Sequence, residues 1–198
     1  MDRLPYLFCD SVAYTLKDLH TLKETLSDLS SKWGNWKAAL EDHVTNRRTY
    51  SVSIAFSRGK WSHNFMSSDL LRKAYIGQIR KIPMKYLRVT PVYINGSARK
   101  TSDLSTVCQI LNYVVPVLDS IQLFVHPSQA KDTDLCRVLG CLKKASIASI
   151  TFNQSRPIYE DFLRGQLNSP HFKLYTQRSV ALSQEVQQEL DEFYRSKL

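Results

Sequence analysis

Hydrophobic positions along this chain change their spacing twice, and each change marks a boundary. Over residues 5 to 20, Phe8, Val12 and Leu16, with Cys9 and Leu19 alongside, recur every three or four positions, the period of one helix face, and Pro5 suits a first helical turn. Leu22, Leu26 and Leu29 predict a second short helix. Trp33, Trp36, Leu40 and Val44 predict a third that ends near Asn46. At residue 49 the period falls to two. TYSVSIAF alternates Tyr50, Val52, Ile54 and Phe56 with small or polar partners, and after SRGK the run WSHNF alternates again, so the two predict a β-hairpin. DLLRKAYIGQI (69 to 79) reads as a short helix weakened by Gly77, and YLRVTPVYI (86 to 94) as a strand made irregular by Pro91.

Beyond residue 100 helix-like and strand-like runs alternate. Residues 103 to 115, 132 to 145, 157 to 167 and 182 to 196 carry the helical period, with Asp103, Asp132 and Ser183 as N-terminal signals. The runs SIQLFV, SIASITF and HFKLYT between them read as strands. One strand and one helix per unit of about 25 residues fits a leucine-rich-repeat-like solenoid, the alternative being an ordinary α/β sheet whose units happen to be similar in length. Leu118, Ile121 and Leu123, and again Ile147, Ile150 and Phe152, hold an L-x-x-L-x-L-like spacing. The repeat reading predicts that Ile121, Leu123, Ile147, Ile150 and Phe152 sit in one continuous core with Leu111, Leu135 and Leu139.

Composition adds size and charge. The 198 residues, 43% hydrophobic, suffice for one domain with a small appendage, and the longest apolar run, YVVPVL, is far too short for a membrane span. The opening MDRLPYLFCDSV lacks the charge order and apolar length of a leader, so it is expected to be a structured start. Cys9, Cys108, Cys136 and Cys141 have no paired spacing and are expected to be reduced and mostly buried. The net charge of +9 is concentrated. Residues 49 to 102 hold ten Lys and Arg against the single acid Asp69, while the flanking segments balance. The basic positions Arg72, Lys73, Arg80, Lys81, Lys85 and Arg88 are candidate anion-binding residues. Their partner would be an acidic or phosphorylated protein segment, or a nucleic acid that stacks on interleaved rings; a merely solvated face is the third reading. In the strands most of those rings fall in phase with Val52 and Ile54 and are expected to face the core.

Reaction chemistry is not signalled. No phosphate-binding glycine loop occurs, the five histidines have no metal-ligand spacing, and Cys136 and Cys141 sit in an apolar helix pattern that suits core packing. No Cys/His pair has a nucleophile's local signature, and the adjacent Glu160 and Asp161 point to different sides of a helix. No enzyme activity, metal or cofactor is predicted.

LPYLFCDSVAYTL followed by LSDLSSKW resembles a degenerate F-box, through Leu4, Pro5, Phe8, Val12 and Leu16, then Leu26, Leu29, Ser30 and Trp33. The whole chain is similar to a large nematode-expanded family whose members open Met-Asp-x-x-Pro-Tyr-x-Phe-Cys and run through a Trp-bearing helix into strand-helix repeats. The spacing from Pro5 to Trp33 and the insertion LKETLSDLSS depart from the F-box pattern. The resemblance implies a recognition subunit of a cullin-type ubiquitin ligase, cytoplasmic or nuclear, with Leu4, Pro5, Tyr6 and Phe8 facing the ligase adaptor. The expected architecture is a helical, F-box-like or capping unit (1 to 48) and an irregular leucine-rich-repeat-like α/β body (49 to 198). If the opening is a hook, Leu4, Pro5 and Tyr6 are exposed; if it is a cap, they are buried. Phe8 is expected inside in both cases, on one face with Val12 and Leu16. The sequence does not assign an oligomeric state.

Overall fold

A computed structural model of the chain describes residues 5–15, 19–28, 34–67, 73–94, 100–117, 121–126, 128–177 and 181–197. Leu4, Leu16, Leu29, Trp33, Asp69, Arg72 and Leu118 lie outside them. Three helices come first: α1 (Tyr6–Thr15), α2 (Leu19–Asp28) and α3 (Gly34–Asn46). They share a small core of their own, in which Cys9 and Ala13 of α1 meet Ala39 and Leu40 of α3, with Leu26, Trp36 and Val44 at its margin. Small side chains at Cys9 and Ala13 let the two helices approach closely, and that choice of inner face decides what α1 leaves outside.

The body begins with the hairpin β1 (Arg48–Ser57) and β2 (Lys60–Ser67), antiparallel in register from Tyr50 opposite Ser67 to Ser57 opposite Lys60. Its two-residue connection, Arg58 and Gly59, has φ of 51° and 74°, the left-handed backbone that a tight hairpin turn requires. Next come the short strand β3 (Lys73–Ala74), one helical turn α4 (Ile76–Ile79), a 3-10 turn (Met84–Tyr86) and β4 (Leu87–Ile94). The helix expected over 69 to 79 is therefore confined to its last part, because Lys73 and Ala74 pair with Met66 and Phe65 of β2 instead. β4 runs parallel to β1, and their register slips opposite Pro91, the irregularity the proline announced.

After β5 (Lys100–Ser102), which also pairs with β2, the alternation is regular: α5 (Leu104–Val114), β6 (Ile121–Val125), α6 (Asp132–Leu142), β7 (Ile147–Phe152), α7 (Pro157–Leu167), β8 (Leu174–Gln177) and α8 (Gln184–Arg195). Asp103 caps α5 by accepting the Thr106 N–H at 2.6 Å, whereas Asp132 is the first residue of α6 and pairs with Arg156 rather than capping. Among the described residues the sheet order is β3-β2-β1-β4-β6-β7-β8, with β4, β6, β7 and β8 parallel neighbours in chain order. Crossovers of one hand between such neighbours place their helices on one face. The fold is thus mixed α/β, an open sheet with a row of helices against it.

One continuous core lies between them. Leu123, Ile147, Ile150 and Phe152 are buried with Leu111, Leu135 and Leu139, as the spacing predicted; the Ile121 side chain lies outside the description. Of the rings in the basic segment, Tyr50, Trp61 and Phe65 are in this core, while Tyr75 is exposed. At the far edge, the Tyr194 hydroxyl of α8 accepts the Tyr175 N–H at 2.9 Å and donates to the Tyr175 carbonyl at 3.3 Å. The cysteines are free, but only Cys9 is buried: Cys136 faces solvent and Cys108 and Cys141 are half-buried, since α6 turns Leu135, Val138, Leu139 and Leu142 inward instead. No described helix is long and apolar enough to cross a membrane.

Candidate docking surface

With Cys9 and Ala13 turned toward α3, the start of α1 faces outward. The Pro5 carbonyl accepts the Phe8 and Cys9 N–H groups, closing the first turn, and Pro5 itself is exposed. Tyr6 is 37% exposed, Leu7 76% and Phe8 49%. Phe8 is therefore not internal. Its ring meets the edge of Trp36, at 6.2 Å, and stays half exposed because the helix packs through Cys9 and Ala13 rather than through the Phe8–Val12 stripe. Leu4 lies outside the described residues.

Polar groups on the other side of α1 fix it to the body. Lys85, in the 3-10 turn before β4, donates to Asp10 of α1 at 3.2 Å and to Asp42 of α3 at 3.4 Å. Asp42 also accepts from the Tyr86 hydroxyl, from Asn46 at 2.7 Å and from the Tyr6 hydroxyl at 3.3 Å. Burial pushes the Asp42 carboxyl up, but the hydrogen bonds from Tyr86, Asn46 and Lys85 outweigh it and hold the group below the ordinary carboxylate range. Fully buried His43 lies between Asp10, 3.1 Å from Nε2, and Arg47, 3.3 Å from Nδ1. An arginine can only donate, so Nδ1 accepts and Nε2–H donates to Asp10. Burial first, and the Arg47 charge second, lower the His43 pKa and keep the ring neutral.

Two arginines close the C-terminal end of α1. Arg47 donates to the Ala13 carbonyl at 2.8 Å, and Arg88 donates to the Tyr14 carbonyl with its guanidinium 4.2 Å from the centre of the Tyr14 ring. Last-turn carbonyls have no partner within the helix, so cations there satisfy acceptors and oppose the helix dipole together.

This geometry divides the six basic candidates. Arg88 is 3% exposed and Lys85 is held by two carboxylates, so neither forms an anion-binding surface; both join α1 and α3 to the sheet. Arg80 and Lys81 are exposed. Lys73 belongs to β3 with its side chain undescribed, and Arg72 lies outside the described residues. The junction of Asp10, Asp42, His43 and Arg47 was not foreseen. Its one signal in the sequence is a set of polar residues inside otherwise apolar helical stretches.

The sheet face away from the helices is a second surface. By register Asn64, Ser53, Tyr93, Phe124 and Thr151 stand side by side across five strands, without a charge among them. Tyr93 stacks on Phe124 at 5.1 Å and 19° and also stacks on His126 at 6.4 Å, and the His126 Nδ1 accepts from Asn153. On the same face Met66 is 38% and Leu174 50% exposed. Among the described residues no three His, Cys, Asp or Glu side chains gather as metal ligands would. No family model, curated protein or solved structure matches the chain.

Proposed function

We propose that the chain is a non-enzymatic protein-interaction module that docks one partner through the start of α1 and offers its strand-helix body to another. The carrying observation is three consecutive exposed side chains, Tyr6, Leu7 and Phe8, on a helix whose other side is anchored. Exposed contiguous apolar surface marks an interface, and anchoring reduces the ordering entropy lost on binding. A cap would bury these residues against the body. Instead the helical unit meets the body through ions and hydrogen bonds, and its apolar core stays separate from that of the sheet.

The F-box resemblance of the opening supplies the partner's class: the adaptor of a cullin-type ubiquitin ligase, with this chain as a substrate-recognition subunit in the cytoplasm or nucleus. The body is read as an irregular leucine-rich-repeat-like array, supported by β4, β6, β7 and β8 lying side by side in chain order with a helix after each. Its half-exposed sheet face, with Tyr93 and Phe124 at the centre, selects the target.

Affinity capture of the tagged full-length chain and of Leu7→Ser, read by mass spectrometry, tests this reading. The intact chain recovers the ligase adaptor and Leu7→Ser loses at least tenfold, while stability shifts by less than about 0.5 kcal/mol because the side chain is exposed. An intact chain that brings down no adaptor sinks the proposal, as does undiminished recovery by Leu7→Ser.

A further inference from the structure

Once Lys85 and Arg88 are taken into the junction, the remaining basic excess lies elsewhere in the body. Tyr75, just before α4, is 59% exposed, and the Lys100 ammonium of β5 sits 5.5 Å from the centre of its ring. After α4, Arg80 lies 5.7 Å from the centre of the Tyr113 ring, and exposed Lys81 follows it. Lys85, Arg156 and Arg164 each hold a carboxylate, but among the described residues none pairs with Arg80, Lys81 or Lys100. The surface around α4 therefore combines an exposed ring with cations that no acid among the described residues pairs with.

We propose that this surface binds single-stranded nucleic acid, with Arg80, Lys81 and Lys100 on phosphates and a base stacked on the free face of Tyr75. Cations alone would suit an acidic peptide equally well. The exposed ring decides between them, because unpaired bases offer a π-face to stack on and a run of carboxylates does not. A duplex keeps its bases stacked inside and would leave Tyr75 unused. The site shares no residue with the exposed start of α1, so its test is separate from that of adaptor docking.

Fluorescence anisotropy of a labelled 20-nucleotide oligo-uridylate with the full chain provides the test. Wild type binds at low salt, and log affinity falls with log salt at a slope of about −2, as expected for three phosphate contacts on a single strand. Charge reversal by Arg80→Glu, Lys81→Glu and Lys100→Glu together abolishes binding while adaptor recovery is unchanged. Tyr75→Ala weakens binding by about fivefold or more at an unaltered salt slope, and Tyr75→Phe retains it. Absence of binding at low salt overturns the proposal. So does equal binding of a poly-glutamate peptide, which would assign the surface to an acidic protein, or a Tyr75→Ala variant that binds like wild type.

Discussion

The helical unit and the sheet body are held together by opposite means. Between the sheet and its helices, strands and helices share one apolar core in which Val52, Leu111, Leu123, Ile150 and Leu163 are fully or almost fully buried. In the helical unit the buried apolar residues among those described are Cys9, Ala13, Ala39 and Leu40, two of them alanines, and position is fixed by Lys85, Arg47 and Arg88 from outside. Among the described residues this unit buries few large apolar side chains, and directional contacts to the body fix its place. Such contacts place a helix accurately without covering it, and that is how Leu7 and Phe8 stay free.

The contrast can be broken at its strong side first. Ile150→Ala removes a fully buried side chain from the shared core and is expected to lower global stability by about 2–5 kcal/mol, seen as a lower denaturant midpoint in both regions together. Loss confined to β7 would show that the core is not cooperative. Asp42→Ala is expected to cost less, about 1–2 kcal/mol, since it removes charge-assisted bonds from a part-solvated carboxylate. Its effect should be local: amide protection falls over residues 6–15 and 34–46 and persists in the sheet. Equal loss in both regions would argue that the junction supports the whole fold.

Acid gives the gentlest separation. The folded pKa of His43 lies below the ordinary 6.5 and that of Asp42 below 3.8, so in each case the unfolded chain takes up its proton first. Their stabilisation is full above those ordinary values and is lost as pH falls through the window below each. His63, Asp103 and Glu160, with lowered values of their own, send the body in the same direction. The body keeps its apolar core, however, so on acidification protection should disappear from α1 and α3 before it disappears from β6 and β7. The reverse order would contradict the comparison.

Legibility in the sequence follows the same line. Period-two and period-3.6 patterns report burial against a continuous apolar surface, so β1, β2, β4, β6 and β7 with α5 and α6 were readable, as was the hairpin turn at Arg58 and Gly59. Where placement depends on specific polar partners, pattern is silent. The Phe8–Val12 spacing suggested an inner face, but close packing through Cys9 and Ala13 turned Phe8 outward. Lys85 and Arg88 counted as free cations in a charge tally, yet their partners Asp10, Asp42 and Tyr14 lie more than forty residues away and appear only after folding. β3 and β5 are too short to carry a period and depend on the edge that β2 offers them.

The phenol of Tyr194 bears on how this molecule behaves in a crowd. A sheet grows by recruiting any strand that can pair with its outermost backbone, and β8 is such an edge. By occupying both the N–H and the carbonyl of Tyr175, one side-chain hydroxyl uses up the pair of bonds that an incoming chain would need first. At the opposite side β3 and β5 cover β2 in two short pieces, too brief to template a long partner. Among the described residues the sheet thus offers an incoming strand a capped position at one edge and two short segments at the other, which works against pairing between copies of the protein at high concentration.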